Sequence, residues 1–174
     1  MSHCYQYPRP SLTVDAVIVA KAAQLLLIQR KNPPCKGQWA LPGGFVDENE
    51  PLGKAAAREL QEETSVNPKD VLLTQVGAYG DPGRDPRGWC VSVAYAALVD
   101  STKLGVKAAD DAVDAKWFDV TDLPSPLAFD HKQIVREAFQ HLQQYPQAQQ
   151  ASGLVAALAD GAKKLEGPWT PCKE

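Results

Sequence analysis

At 174 residues the chain fits one domain with a proper buried core, and its 44% hydrophobic and 22% charged residues are those of an ordinary globular protein. No apolar run approaches the length of a membrane span. A net charge of -3 gives no electrostatic reason to hold a nucleic-acid duplex or an anionic membrane, and an acidic protein that handles polyphosphate needs metal ions as a bridge.

The first ten residues, MSHCYQYPRP, have neither the apolar centre of a signal peptide nor an Arg/Ser-rich amphipathic character, which points to the cytoplasm. Loss of an organelle-targeting segment by trimming stays open. Leu12–Ala20 and Gln24–Arg30 are rich in branched apolar residues and predict a β-hairpin across Lys21-Ala22-Ala23. Asn32-Pro33-Pro34 breaks the chain, and Trp39–Leu41 predicts a short strand that runs into a Pro42-Gly43-Gly44 turn. A helix follows, with Pro51 tolerated in its first turn because the N–H it lacks has no intrahelical partner there. Leu52, Ala55, Ala56 and Leu60 give that helix an apolar face.

Val71–Tyr79 and Trp89–Val99 predict two further strands around the turn-rich loop GDPGRDPRG, and Ala115–Val120 a last one. Phe129–Tyr145 has helical periodicity through Ile134, Val135, Ala138, Phe139 and Leu142. The expected domain is 1–145, with 146–174 a linker and helical tail, Ala151–Leu165, packing on or extending it. Cys4, Cys35, Cys90 and Cys172 are scattered without a CxxC pair and read as reduced thiols.

The most informative feature lies on the first helix. Residues three and four apart share a helix face, so Glu59, Glu62 and Glu63 form one carboxylate patch beside Arg58. Such a patch repels itself unless cations join it. Hard divalent ions with oxygen ligands fit, and Mg2+ held by carboxylates completes its shell with substrate phosphates.

The spacing carries a resemblance as well. Gly44, five residues, Glu50, seven residues, Arg58-Glu59-Leu60, one residue, Glu62-Glu63, one residue, Ser65-Val66 is similar to the Nudix box, with serine at 65 where that family has glycine. Over roughly its first four-fifths the chain resembles a Nudix hydrolase. The resemblance implies an α/β fold, an α-β-α sandwich with a mixed sheet whose catalytic helix follows the Pro-Gly-Gly turn. It implies hydrolysis of a nucleoside diphosphate linked to another moiety, with Mg2+ or Mn2+ held by Glu59, Glu62, Glu63 and a backbone carbonyl at Gly43 or Gly44. Glu50 and Arg58 would assist, Arg58 by a salt bridge that orients the carboxylates.

The general base is either a box glutamate or one of Asp110, Asp111 and Asp114 ahead of the last strand, Asp111 being the candidate carried forward. Ser65 falls where helices end in a left-handed residue, so it puts stability in question more than activity.

Substrate choice belongs to loops. Arg84 and Arg87 of the GDPGRDPRG loop could fork onto phosphate oxygens, Arg30 could reach a phosphate or ribose, and Trp89 could stack on a ring. TVDAVIV, GQWALPGGFV, that loop and LAFDH resemble the ADP-ribose pyrophosphatase branch, which implies cleavage of ADP-ribose to AMP and ribose 5-phosphate. Two alternatives remain: cleanup of modified nucleoside triphosphates, and a sensor that binds ADP-ribose without hydrolysis. The partner expected is a small nucleotide rather than nucleic acid or membrane; many relatives are homodimers, and the apolar strands could pair across subunits. His3, His131 and His141 read as structural, His131 as a support for the last helix.

Overall fold

The computed structural model describes residues 5–107 and 112–172. β1 (Ser11–Ala20) and β2 (Gln24–Arg30) form the expected hairpin, but they pair only at its closed end, Val19 with Leu25 and Ala20 with Gln24. Below that point the strands part. The far half of β1 takes a different neighbour, β4 (Gly43–Phe45), with Asp15 opposite Gly43 and Val14 opposite Gly44. Gly43 and Gly44 of the Pro-Gly-Gly segment therefore belong to a short strand of the sheet rather than only to a turn. A Cβ on Gly43 would run into the Val14 carbonyl and stand 2.8 Å from an Asp15 carboxylate oxygen, so glycine permits this close approach.

β1 also runs parallel to β6 (Cys90–Val99) along its full length, and β5 (Thr74–Tyr79) closes that edge. β2 is flanked by β3 (Trp39–Ala40) and β7 (Ala112–Asp119), giving a seven-stranded mixed sheet. β1 lies inside this sheet and is covered on both faces, which explains its nearly unbroken apolar run. Ala16, Ile18 and Ala20 join Leu60 of α1 (Leu52–Thr64), while Val17 and Val19 join Ile134, Val135 and Phe139 of α2 (His131–Leu142). The expected sandwich of helices around a mixed sheet is the fold observed.

α3 (Pro146–Gln150) and α4 (Leu154–Lys164) follow, and Leu154, Leu158 and Ala162 pack into the α2 side of the same core. No described helix is long and apolar enough to cross a membrane. Several expected boundaries shift. β5 begins at Thr74 because Pro68–Asp70 forms a 3-10 turn capped by the Asn67 side chain, and Pro51 is the N-cap of α1 rather than a residue of its first turn. Trp89 precedes β6 instead of opening it.

The expectation of four reduced thiols is corrected: Cys35 and Cys172 are joined by a disulfide, while Cys90 is free and buried. The two bonded cysteines lie 137 residues apart, so no local spacing announces them; the fold returns the tail beneath Phe129 to meet the loop after β2.

Candidate active site

α1 turns its small residues inward, Ala55 and Ala56 with Leu60, which lets its backbone approach the sheet closely. Its acidic residues then rise along the edge where β1 and β4 meet. Glu63 is 7% exposed, and its Oε2 accepts a 2.9 Å hydrogen bond from the Gly43 N–H. Glu59 stands so near β4 that a Cβ on Gly44 would lie 2.5 Å from its carboxylate; glycine makes the cradle. Glu62, one turn from Arg58, is the outermost of the three, with its side chain 45% exposed.

Arg58 organises this face with all five of its N–H donors. Nε and Nη2 grip the two oxygens of Glu50 at 2.8 Å each. Nη1 reaches Glu59 at 2.8 Å and Glu62 at 3.0 Å, and Nη2 also reaches the Phe45 carbonyl at 3.0 Å. Such forked, charge-assisted bonds fix orientation as well as charge. The Arg58 hydrogen bonds hold the Glu50 carboxyl down to about 2, and those carboxylates raise the Arg58 pKa in turn.

The inner glutamates behave oppositely. Burial raises the Glu59 pKa despite Arg58, and burial pushes Glu63 up to about 8, with Glu59 and Asp15 adding repulsion. Two oxygen-donor carboxylates that burial disfavours as anions, beside a third within reach of Arg58, suit a hard divalent cation. Among the described residues no three His, Cys, Asp or Glu side chains are already gathered as a metal cage. Glu59 and Glu63 line a cleft of about 320 Å3 together with Gly43, Gly44, Arg30 and Arg87.

The two loop arginines occupy unlike places. Arg84 is buried, and its fork closes on Asp130 at 2.7 and 2.6 Å; burial opposes its charge, and Asp130 outweighs that to keep the pKa raised. Arg87 remains partly exposed, is held by Asp85, and passes 4.9 Å over the Phe45 ring at the cleft. Arg30 bonds the Pro34 carbonyl at 2.8 Å and lies over Phe129. Trp89 is 56% exposed, in a groove shared with Phe45 and Arg87. Trp39 packs edge-on against Phe118 instead of offering a face to the cleft. Asp114 sits on β7 opposite Gln29 with Lys116 at 2.5 Å, whereas Asp110 and Asp111 lie outside the described residues.

Of the polar group buried behind the cleft, Asp15, Ser92, Asp130 and His131, the sequence singled out only His131, as a structural support for the last helix. One signal was available, an aspartate in the midst of the apolar LTVDAVIVA run.

Comparison with known proteins places this geometry among relatives. Residues 9–138 match the NUDIX domain family. An ADP-ribose pyrophosphatase of Methanocaldococcus jannaschii is 44% identical over 131 residues, covering 75% of this chain and 74% of its own length. The ADPR responsive transcriptional repressor NtrR of Acinetobacter baylyi is 40% identical over 142 residues, or 78% of this chain and 56% of the repressor. The crystal structure of a bifunctional NMN adenylyltransferase/ADP ribose pyrophosphatase from Francisella tularensis, complexed with AMP and a manganese ion, superposes with a TM-score of 0.65. It is 31% identical, and the match covers 79% of this chain and 43% of that one.

Proposed function

The chain belongs to the NUDIX family, and from that premise we propose that it hydrolyses ADP-ribose to AMP and ribose 5-phosphate with Mg2+ or Mn2+. One observation carries the reading: Glu59 and Glu63 face a cleft that also holds Arg30 and Arg87, with Glu62 beside them on the outer edge of α1, Arg58 orienting Glu59 and Glu62 and the Gly43 N–H orienting Glu63. A nucleoside diphosphate carries negative charge that such a cleft binds only through cations. The arginines supply part of that charge from the protein. Glu59, Glu62, Glu63 and the Gly43 carbonyl would hold the divalent ion, whose chemistry is to neutralise the diphosphate and make a water nucleophilic near neutral pH.

The protein's own part is placement. Arg58 fixes Glu59 and Glu62, Gly43 fixes Glu63, and Arg30 and Arg87 steady phosphate oxygens so that water adds in line at one phosphorus. The P–O bond to the bridging oxygen breaks, the second phosphate leaves with its electron pair, and a proton from the water goes to bulk solvent through a base. Likeness to an ADP-ribose pyrophosphatase at 44% identity supports ADP-ribose as the substrate.

A second reading, a sensor that binds ADP-ribose without cleaving it, draws support from the 40% identity to an ADPR responsive repressor. The full complement of carboxylates with Arg58 weighs toward catalysis. Incubation with Mg2+ and ADP-ribose, NADH, FAD, ADP-glucose or oxidised dGTP, with products separated by chromatography, decides. AMP from ADP-ribose supports the proposal. Tight binding without turnover supports the sensor, and a monophosphate with pyrophosphate from oxidised dGTP supports a cleanup enzyme.

A further inference from the structure

The polar residues buried behind the cleft form one connected chain. β3 ends at Ala40 and β4 begins at Gly43, so the Leu41 N–H lies between strands without a ladder partner. It donates instead to Nδ1 of His131, the first residue of α2, at 2.9 Å. An imidazole nitrogen that accepts a hydrogen bond carries no proton, which assigns the proton to Nε2. Nε2 faces Asp15 Oδ1 at 3.3 Å, and the other oxygen of Asp15 accepts from the Ser92 hydroxyl. All three side chains are buried.

This chain ends on the segment that aims Glu63. Asp15 is the partner of Gly43 across β1 and β4, Pro42 accepts from the Ala16 N–H at 2.8 Å, and the Gly43 N–H holds Glu63. The Leu41–Gly43 backbone is thus fastened at Pro42 and Gly43 by β1 and at Leu41 by a histidine that lies 90 residues away in sequence. Without the imidazole, a buried N–H would stay unpaired and the fastening at Leu41 would be lost.

We propose that His131 is a positioning residue of the active site, fixing the Leu41–Gly43 backbone so that Gly43 presents Glu63 to a divalent cation. The inference rests on the reading of Glu63 and Gly43 as cation-holding groups. Other elements that support cation ligands in proteins act in this way, and their loss weakens binding by about 10- to 100-fold.

Two substitutions separate the two sides of the imidazole. In H131N the amide oxygen replaces Nδ1 as acceptor for Leu41; in H131Q the longer side chain reaches toward Asp15 and abandons Leu41. Mn2+ binding, read from the electron paramagnetic resonance signal of the free ion, is measured for both beside the wild type, with thermal midpoints recorded. We expect H131Q to weaken Mn2+ binding by about tenfold and H131N by less than about threefold, with the KM for ADP-ribose at saturating metal nearly unchanged. If H131Q does not fold, S92A removes the outermost link and should weaken Mn2+ by about two- to threefold. Equal Mn2+ affinity in all variants, or losses in H131N and H131Q that merely follow their thermal midpoints, would overturn the proposal. Wild-type protein that binds Mn2+ yet leaves ADP-ribose intact would refute the enzyme reading while the variants still decide the role of His131. Wild-type protein that binds no Mn2+ would overturn both.

Discussion

Substitution of Glu63 by glutamine should stabilise the metal-free protein, and increasingly so as pH rises. Burial raises the Glu63 carboxyl from its ordinary 4.5 to about 8, while its Oε2 takes a hydrogen bond from Gly43 that a glutamine oxygen can keep. A carboxyl whose folded pKa exceeds its unfolded one binds more protons in the folded state. Its contribution to stability is therefore whole below pH 4.5 and is lost as pH climbs toward 8. Each pH unit within that window removes about 1.4 kcal/mol. Wild type should lose about 3 kcal/mol from this group between pH 5 and pH 7.5, and the neutral glutamine none of it. Urea unfolding in EDTA across that range reads the difference between variant and wild type. A difference that widens by about 2–4 kcal/mol fits the account. A constant difference would refute the claim that Glu63 is forced into an unfavourable site when no cation shares it.

Other perturbations follow from the same structure. Ser65 ends α1 at φ 60°, in the left-handed region, so Ser65→Gly should stabilise the protein by up to about 1 kcal/mol, less the lost contact of its hydroxyl with Lys107; calorimetry that shows destabilisation would contradict this. Cys172→Ser opens a 137-residue loop and should lower stability by as much as about 5 kcal/mol on a chain-entropy argument, with denaturation under reducing conditions lowering wild type to match. Arg84→Ala strands Asp130 in the interior and should cost about 3–5 kcal/mol of stability. Arg87→Ala should raise the KM for ADP-ribose and, because it leaves the buried Asp85 without its guanidinium partner, lower the unfolding midpoint as well; a KM unchanged from wild type would contradict its place at the cleft.

What could be read in the sequence was what the chain makes locally. The glutamates of α1 share an edge because helix geometry alone puts them there, and Arg58 meets Glu50 across the first turns of the same helix. The left-handed end at Ser65 was readable for the same reason. Arg84 and Arg87 look alike in GDPGRDPRG, yet Asp130 in a distant segment buries one and leaves the other at the cleft. The bond between Cys35 and Cys172, and the line from Ser92 through Asp15 and His131 to Leu41, depend on strand order and on where α2 begins. A periodicity cannot record such meetings. Asp15 was the exception with a local trace, because a charge set in a buried strand requires partners.

The most direct test of the central claim is the release of AMP from ADP-ribose with Mg2+, compared between wild type and Glu62→Gln. Glu62 is the outermost of the three carboxylates, so glutamine there should leave the fold intact. The account predicts steady AMP formation by wild type and a loss of about 100-fold or more in the variant, at an unchanged unfolding midpoint. Equal rates in the two proteins, or no AMP from the wild type, would contradict it.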